Sequence, residues 1–373
     1  MTKAFYNARI FTGSEFLENK TVIVKNETIA DIIDSNDVGE SIDKSDCKGN
    51  YLVPAFIDLQ LYGGNGLLFA DYPSIESITA TFNYSLQGGA TNILPTIGTH
   101  TFDKIIEAVR AVKEYWHQGL PGVEGLHVEG PFINPIKRGA HILEYIKKPS
   151  MENVRQLMDE GEGVIRMMTI APEFCTDEVL QFLERNGVII SAGHSNATYE
   201  EASSAFNKNI HAATHLFNAM SAFQHRAPGL AGAILDANDA MCSIVADGYH
   251  VDFAAIRVAK KIMGDRLFLI TDAVTGNNSG AYQHRLEGDK YVMPDGTLSG
   301  SALTMLKAVQ NCVNHIGISL DESLRMASLY PAKVLGLDHQ LGRIQKDYNA
   351  ELVCLDKNLS LLGVHSSSAN VSF

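Results

Sequence analysis

The sequence of 373 residues predicts an α/β protein, a (β/α)8 TIM barrel with a small β-sandwich unit built from both chain ends. Three observations predict it. From Tyr51 onward apolar, strand-like runs alternate with helix-length segments, the pattern of parallel βα units. These runs approach the eight that close a barrel. Short β-rich runs separated by turn residues occur near both termini. The length also suits a barrel of roughly 250 residues plus an appended unit.

In chain order, residues 4–11, 21–24 and 29–33 are β-rich runs with polar breaks between them and predict a small antiparallel unit. The barrel runs are YLVPAFIDLQL, TNILPTIG, GLHVEG, VIRMMTIAPE, GVIISAGHS, HAATHLFNAM, MCSIVADGYH and RLFLITDA. A helix is predicted over 321–335. The tail LGRIQKDYNAELVCLD then returns to strand and turn signals that can pair with the N-terminal strands. The expected division is 1–52 and 339–373 for the two parts of the small β-unit and 53–338 for the barrel. No internal repeat occurs, and the Ser-rich end, 366–368, is expected to fray.

Composition narrows the function classes. Hydrophobic residues are 45% and charged residues 20%, as in a globular protein with a large core. Lys plus Arg number 30 against 43 Asp plus Glu, a net charge of −13 that disfavours nucleic acid as a partner. The five cysteines, Cys47, Cys175, Cys242, Cys312 and Cys354, are odd in number and contain no C-x-x-C pair, which suits a reducing compartment. No signal peptide and no membrane-length apolar run is read, so no membrane association and a cytoplasmic location are expected. No G-x-x-x-x-G-K-[ST], G-x-S-x-G or strand-linked G-x-G-x-x-G occurs, against triphosphate, serine-hydrolase and dinucleotide chemistry.

Four polar residues follow apolar runs and so sit at predicted C-terminal strand ends: Glu129, His194, His215 and Asp272. In a barrel these ends share one mouth. One carboxylate and two imidazoles make a three-ligand set that leaves a divalent metal an open position for water. The fourth group, Asp272, is then free to take a proton from that water and return it to a leaving amine. Singly, each has a blander reading: a strand-end histidine often caps a backbone group, and a strand-end Asp is often a helix N-cap. His211 falls at the start of the predicted strand of His215 and is expected to point away from the mouth. His127 shares strand parity with Glu129 but lies deeper, as a buried hydrogen-bonded histidine. His100, His117, His284, His315, His339 and His365 follow no pattern. The glycine-rich LYGGNG is either a ligand-approaching loop or a plain βα turn.

The segments PAFIDLQLYGG, GLHVEGPF, SAGHSNAT, THLFNAM, PGLAGAILD, ADGYHVD, TDAV and GTLSGSALTM resemble, in order and across nearly the whole chain, the motif series of the N-acetylglucosamine-6-phosphate deacetylases of the amidohydrolase superfamily. The resemblance implies metal-dependent hydrolysis of the acetamide of N-acetyl-D-glucosamine 6-phosphate. It assigns Glu129, His194 and His215 to the metal, Asp272 to catalytic acid/base work and His141 to polarising the carbonyl. It implies that Arg226 and His250 hold the sugar phosphate, Arg226 reaching in from the other subunit of a homodimer. Ala140, Asn218, Ala219, Asp247, Leu298, Ser299 and Gly300 match further substrate contacts.

One departure stands out. Where many amidohydrolases carry H-x-H or H-x-D on the first barrel strand, this chain has Gln60, Leu61 and Tyr62. Neutral residues bind a cation poorly, so one divalent ion per subunit is expected, with Gln60 contacting it at most through water. Zinc is the expected ion; Fe2+, Co2+, Mn2+ and Ni2+ suit the same ligands. Tyr62 stands where a small polar residue is expected. Two rival readings remain: a deacetylase preferring the galactosamine epimer, and a catalytically silent barrel that binds an amino-sugar phosphate.

Overall fold

The computed structural model describes residues 2–37, 39, 42–366 and 370–371. Strands from both chain ends lie in one hydrogen-bonded sheet that curls over its own core. Thr2–Phe11 pairs antiparallel with Lys20–Lys25, which pairs antiparallel with Thr28–Asp34. The far edge of this sheet meets the C-terminal segment, where Ile29 N–H donates to Tyr348 O at 2.8 Å and Ala350 N–H to Glu27 O at 2.8 Å. Phe5, Ile10, Val22, Ile29, Leu52 and Leu352 are buried together between the layers.

The N-terminal unit is mixed rather than purely antiparallel. Asp43–Pro54 returns to the free edge of Thr2–Phe11 and runs parallel to it, in register Lys3↔Asp43. The meander already occupies the other edge, so the chain crosses back before pairing and keeps the direction of Thr28–Asp34, which is also that of Thr2–Phe11. Leu352–Leu355 then pairs antiparallel with Asp43–Pro54, which joins the two chain ends.

Only Ala55 separates that strand from the first barrel strand, Phe56–Leu61. The others follow in order: Ala90–Gly98, Leu126–Glu129, Ile165–Ile170, Ile189–Ala192, Ala212–Ala213, Met241–Val245 and Leu267–Ile270. All pair parallel with their neighbours. Closure is made by backbone bonds just beyond the eighth strand: Asp272 N–H donates to Gln60 O at 2.9 Å and Tyr62 N–H to Ala273 O at 2.8 Å.

The helices that follow the strands start at Ser74, Thr101, Thr176, Thr198, Asp252 and Thr304, each side chain accepting a backbone N–H of the first turn. Such caps stabilise by about 1 kcal/mol each and set where each strand-to-helix loop ends. The predicted helix over 321–335 is two helices, Leu320–Ala327 and Leu329–Leu335. Ser328 leaves helical geometry at φ −130°, and Pro331 lacks the N–H that a continuous helix would direct at Ala327. The glycine-rich segment after the first strand forms a short hairpin, Gly63–Gly64 against Leu67–Leu68. Of the Ser-rich end, residues 367–368 lie outside the described residues.

A buried side chain reinforces closure. Asp58, 1% exposed, accepts from Thr271 Oγ1 at 2.5 Å, Thr271 N–H at 3.2 Å and Gln60 N–H at 3.3 Å. Burial pushes its carboxyl up to about 6 against these bonds. Between about pH 4 and pH 6 the folded protein therefore retains a proton that the unfolded chain releases, and stability falls as pH rises through that window. Replacing Asp58 by Asn removes the titration. The unfolding free energy of the unaltered protein, relative to Asp58→Asn, is expected to drop by on the order of 3 kcal/mol from about pH 4 to pH 7 in denaturant titrations. A pH-independent difference would assign Asp58 an ordinary pKa.

Candidate active site

The four strand-end residues meet at the C-terminal mouth of the barrel. Glu129 is the last residue of the third strand, and His194, His215 and Asp272 each lie two residues past the fifth, sixth and eighth. These three adopt left-handed backbone conformations, with φ of 47°, 39° and 54°. Such geometry costs about 1–3 kcal/mol per residue and is held only where surrounding structure imposes it. Gly193 makes room for one of them: a Cβ there would lie 2.7 Å from Thr169 Cγ2 and 3.0 Å from Thr214 Cβ.

Glu129 Oε1, His194 Nε2 and His215 Nε2 converge. The carboxylate oxygen is 3.2 Å from the first nitrogen and 3.0 Å from the second, and the two nitrogens are 3.1 Å apart. Donors about 2.0–2.1 Å from a tetrahedral ion lie roughly 3.3 Å from one another, so this set fits a divalent cation. Glu129, His141 and His194 also offer atoms within 4.8 Å of one another.

The bonds on the far side of each ring distinguish His141 from His194. His194 Nδ1 lies 2.9 Å from the Lys137 carbonyl, which can only accept, so the proton sits on Nδ1 and Nε2 presents a lone pair. For His141 the pattern is inverted. Nδ1 accepts Thr99 N–H at 3.1 Å and lies 2.7 Å from Thr99 Oγ1, while a carboxylate oxygen, which can only accept, lies 3.0 Å from Nε2 at Glu129 Oε2; the proton therefore sits on Nε2. His141 thus presents an N–H to the centre, whereas His194 presents a lone pair of the kind a metal ion needs. His215 Nδ1 is buried without a partner among the described residues.

Asp272 faces this set. Its Oδ1 accepts from Gln60 Nε2 at 2.9 Å, and its Oδ2 lies 3.6 Å from His250 Nε2. Burial, with neighbouring carboxylates, raises its pKa to about 8 against the opposing effect of His215. A divalent cation alongside would favour the ionised form. For Glu129 burial also opposes ionisation, but His194 and His141 outweigh it and hold the carboxyl well below its usual range. The cleft above has a volume of about 170 Å³, which suits a small molecule.

Comparison with known proteins places this geometry. The Amidohydrolase family model matches residues 51–372, and the NagA composite domain model matches residues 4–52. The chain belongs to the amidohydrolase family. It is 36% identical to an N-acetylglucosamine-6-phosphate deacetylase of Haemophilus influenzae over 97% of both chains. It is 33% identical to an N-acetylgalactosamine-6-phosphate deacetylase of a Shewanella species, over 84% of this chain and 81% of that one. The crystal structure of N-acetylglucosamine-6-phosphate deacetylase from Pasteurella multocida superposes with a TM-score of 0.94 at 37% identity, covering 98% of each chain.

In this amidohydrolase the cleft is lined by most residues singled out from sequence: Glu129, His141, His194, His215 and Asp272, with Ala140, Asn218, Ala219, His250, Leu298, Ser299 and Gly300 around them. Two expected substrate contacts, Asp247 and Arg226, are not in its lining, nor is Gln60. Asp247 spends both oxygens on its own loop, Oδ1 accepting the N–H groups of Tyr249 and His250 and Oδ2 lying 2.6 Å from His250 Nδ1. Its place is behind His250, which it orients. Arg226 is exposed at the tip of a tight turn closed by reciprocal Gln224–Ala227 backbone bonds at 3.2 and 3.1 Å. His127 is wholly buried: its Nδ1 donates to Leu59 O at 3.0 Å and its Nε2 meets Thr169 Oγ1 at 2.8 Å.

Sequence reasoning missed Tyr282 and His284, which line the cleft on the side of Ser299. Tyr282 O–H donates to Thr99 O at 2.5 Å, and His284 Nδ1 lies 2.9 Å from Ser299 Oγ. Both come from the segment leading into a three-stranded hairpin, Arg285–Glu287, Lys290–Val292 and Leu298–Ser301, laid beside the mouth. No strand-end position or spacing marks that segment.

The tautomers predict different losses. His194→Ala should weaken divalent metal binding by about 100-fold or more, whereas His141→Ala should change it less than about tenfold, by competition with a chelating dye. The reverse order would give His141 the ligand position.

Proposed function

We propose that this enzyme hydrolyses the acetamide of N-acetyl-D-glucosamine 6-phosphate, releasing D-glucosamine 6-phosphate and acetate in amino-sugar metabolism. The observation that carries the reading is Asp272, a buried carboxylate set beside a converging carboxylate and two imidazoles in a small cleft. The names of the relatives supply the substrate. The residues 53–338 carry the chemistry, and 1–52 with 339–373 build the small β-unit.

Glu129, His194 and His215 hold one divalent ion per subunit, zinc in our reading, with Fe2+, Co2+, Mn2+ and Ni2+ compatible with the same donors. Such an ion, when bound, polarises a carbonyl and lowers the pKa of water toward about 7. His141 Nε2–H donates to the acetamide oxygen as negative charge builds there. Water adds to the carbonyl carbon and gives its proton to Asp272. The Gln60 bond occupies Oδ1 of Asp272, leaving Oδ2 for the transfer. When the C–N bond breaks, Asp272 returns the proton to the departing nitrogen.

Among the described residues the cleft lining contains no lysine or arginine, so a phosphate needs a cation from elsewhere. Arg226 supplies it across a homodimer in this proposal, together with His250, while Ala140, Asn218, Ala219 and the Leu298–Ser299–Gly300 turn contact the sugar. Exposed apolar side chains on loops at the same end of the barrel support such an interface: Ile136 (77% exposed), Phe174 (43%), Phe223 (61%) and Tyr249 (49%). A cytoplasmic location accords with five free cysteines; no helix among the described residues is long and apolar enough to cross a membrane.

Acetate release tests the reading. Zinc-loaded protein should deacetylate N-acetylglucosamine 6-phosphate and metal-stripped protein should not, with little release from the unphosphorylated sugar. Faster turnover of the galactosamine epimer would move the substrate by one hydroxyl, and no release from any of them would favour a silent binding barrel. Asp272→Asn is expected to lower kcat by about 10²–10⁴-fold while metal content stays at the unaltered level. Undiminished turnover would remove Asp272 from proton transfer. Arg226→Ala should raise KM for the phosphorylated sugar. Mixing Arg226→Ala with Asp272→Asn subunits, after dissociation and reassociation, should restore about a quarter of native activity, because half of the dimers then hold one intact site. No recovery would place Arg226 outside the neighbouring site.

A further inference from the structure

The two oxygens of Glu129, itself 2% exposed, have separate surroundings. Oε1 faces His194 Nε2, His215 Nε2 and Gln60 Nε2, at 3.2, 3.0 and 3.0 Å. Oε2 receives two donors, the Tyr62 hydroxyl in a short bond and His141 Nε2–H at 3.0 Å. The His141 proton has two claims on it, since deacetylation requires it at the acetamide oxygen. If His141 were the sole donor to Oε2, turning toward substrate would leave a buried carboxylate oxygen bare and cost its full desolvation.

We propose that Tyr62 is a positioning residue that releases His141 for the substrate by holding Glu129 Oε2. The hydrogen-bond count supports it. Gln60 Nε2 has two protons and three acceptors within reach: Tyr62 Oη at 2.7 Å, Asp272 Oδ1 at 2.9 Å and Glu129 Oε1 at 3.0 Å. Once Glu129 Oε1 is committed to a cation, two protons serve two acceptors. The Tyr62 oxygen then accepts from Gln60, which directs its own O–H onto Glu129 Oε2. Every proton of the chain from Gln60 through Tyr62 to Glu129 is used once, and the His141 N–H is surplus there. The same hydroxyl keeps Oε2 turned away from the ion, so that Glu129 binds through Oε1 alone.

The inference rests on deacetylation at this centre. The full-length protein is therefore compared as the native form, Tyr62→Phe, His141→Ala and the double variant, with zinc for kinetics at high enzyme concentration and with cobalt(II) for visible spectra. Phe keeps the ring and loses only the hydroxyl. Tyr62→Phe is expected to lower kcat about 10- to 100-fold with KM within about twofold, and to cost less than about twofold when added to His141→Ala. The cobalt(II) spectrum is expected to change in Tyr62→Phe as Oε2 loses its donor and turns to the ion. An equal loss in both backgrounds, or none in either, would overturn the release of His141. An unchanged cobalt spectrum would overturn the hold on Glu129. Absence of acetate release from the native protein would instead defeat the deacetylase reading, and the spectrum would still decide whether Tyr62 positions Glu129.

Discussion

The first and eighth barrel strands are joined by Asp272 N–H on Gln60 O at 2.9 Å, Tyr62 N–H on Ala273 O at 2.8 Å, and the Asp58 carboxylate on Thr271. These bonds bring together the two ends of a chain segment more than two hundred residues long. They bring Gln60 and Tyr62 to one side of Glu129 and Asp272 beside both. Asp272 and Glu129, the proton carrier and the metal-binding carboxylate of our proposal, therefore keep a separation set by backbone rather than by flexible side chains, as catalytic positioning requires.

The mouth that results is strongly acidic. Asp58, Glu129, Asp247 and Asp272 are buried or nearly so, in a chain of net charge −13. Burial alone raises every one of them, and it prevails at Asp58 and Asp272. Histidines prevail at the other two, with His194 and His141 around Glu129 and His250 on Asp247. Such a site attracts a divalent cation and repels a phosphate. The bound cation and the external positive charge of our proposal would answer one electrostatic cause.

Tyr62 and Gln60 show how neutral residues can organise such a centre. Each donates to a carboxylate without adding charge, Tyr62 to Glu129 Oε2 and Gln60 to Asp272 Oδ1, which leaves Glu129 Oε1 and Asp272 Oδ2 for the roles proposed for them. A charged partner in place of Gln60 would have pulled Asp272 toward permanent ionisation and limited the proton transfer proposed for it.

The sequence by itself determined the alternation of strands and helices, the union of both chain ends, and the four strand-end residues Glu129, His194, His215 and Asp272. These follow from burial periodicity and chain direction, which any parallel barrel converts into one shared mouth. His141, Arg226 and His250 were reached only by resemblance, because they lie in loops where no period operates. Tertiary structure alone decided which ring nitrogen carries the proton in His141 and His194, since the Thr99 N–H and the Lys137 carbonyl arrive from elsewhere in the chain. It also placed Asp247 behind His250, brought Tyr282 and His284 to the cleft, and broke the last long helix at Ser328. A strand pattern tells which side chains face inward. Which polar group meets which depends on left-handed turns at individual residues and on contacts between distant segments, and neither leaves a repeating mark in the sequence.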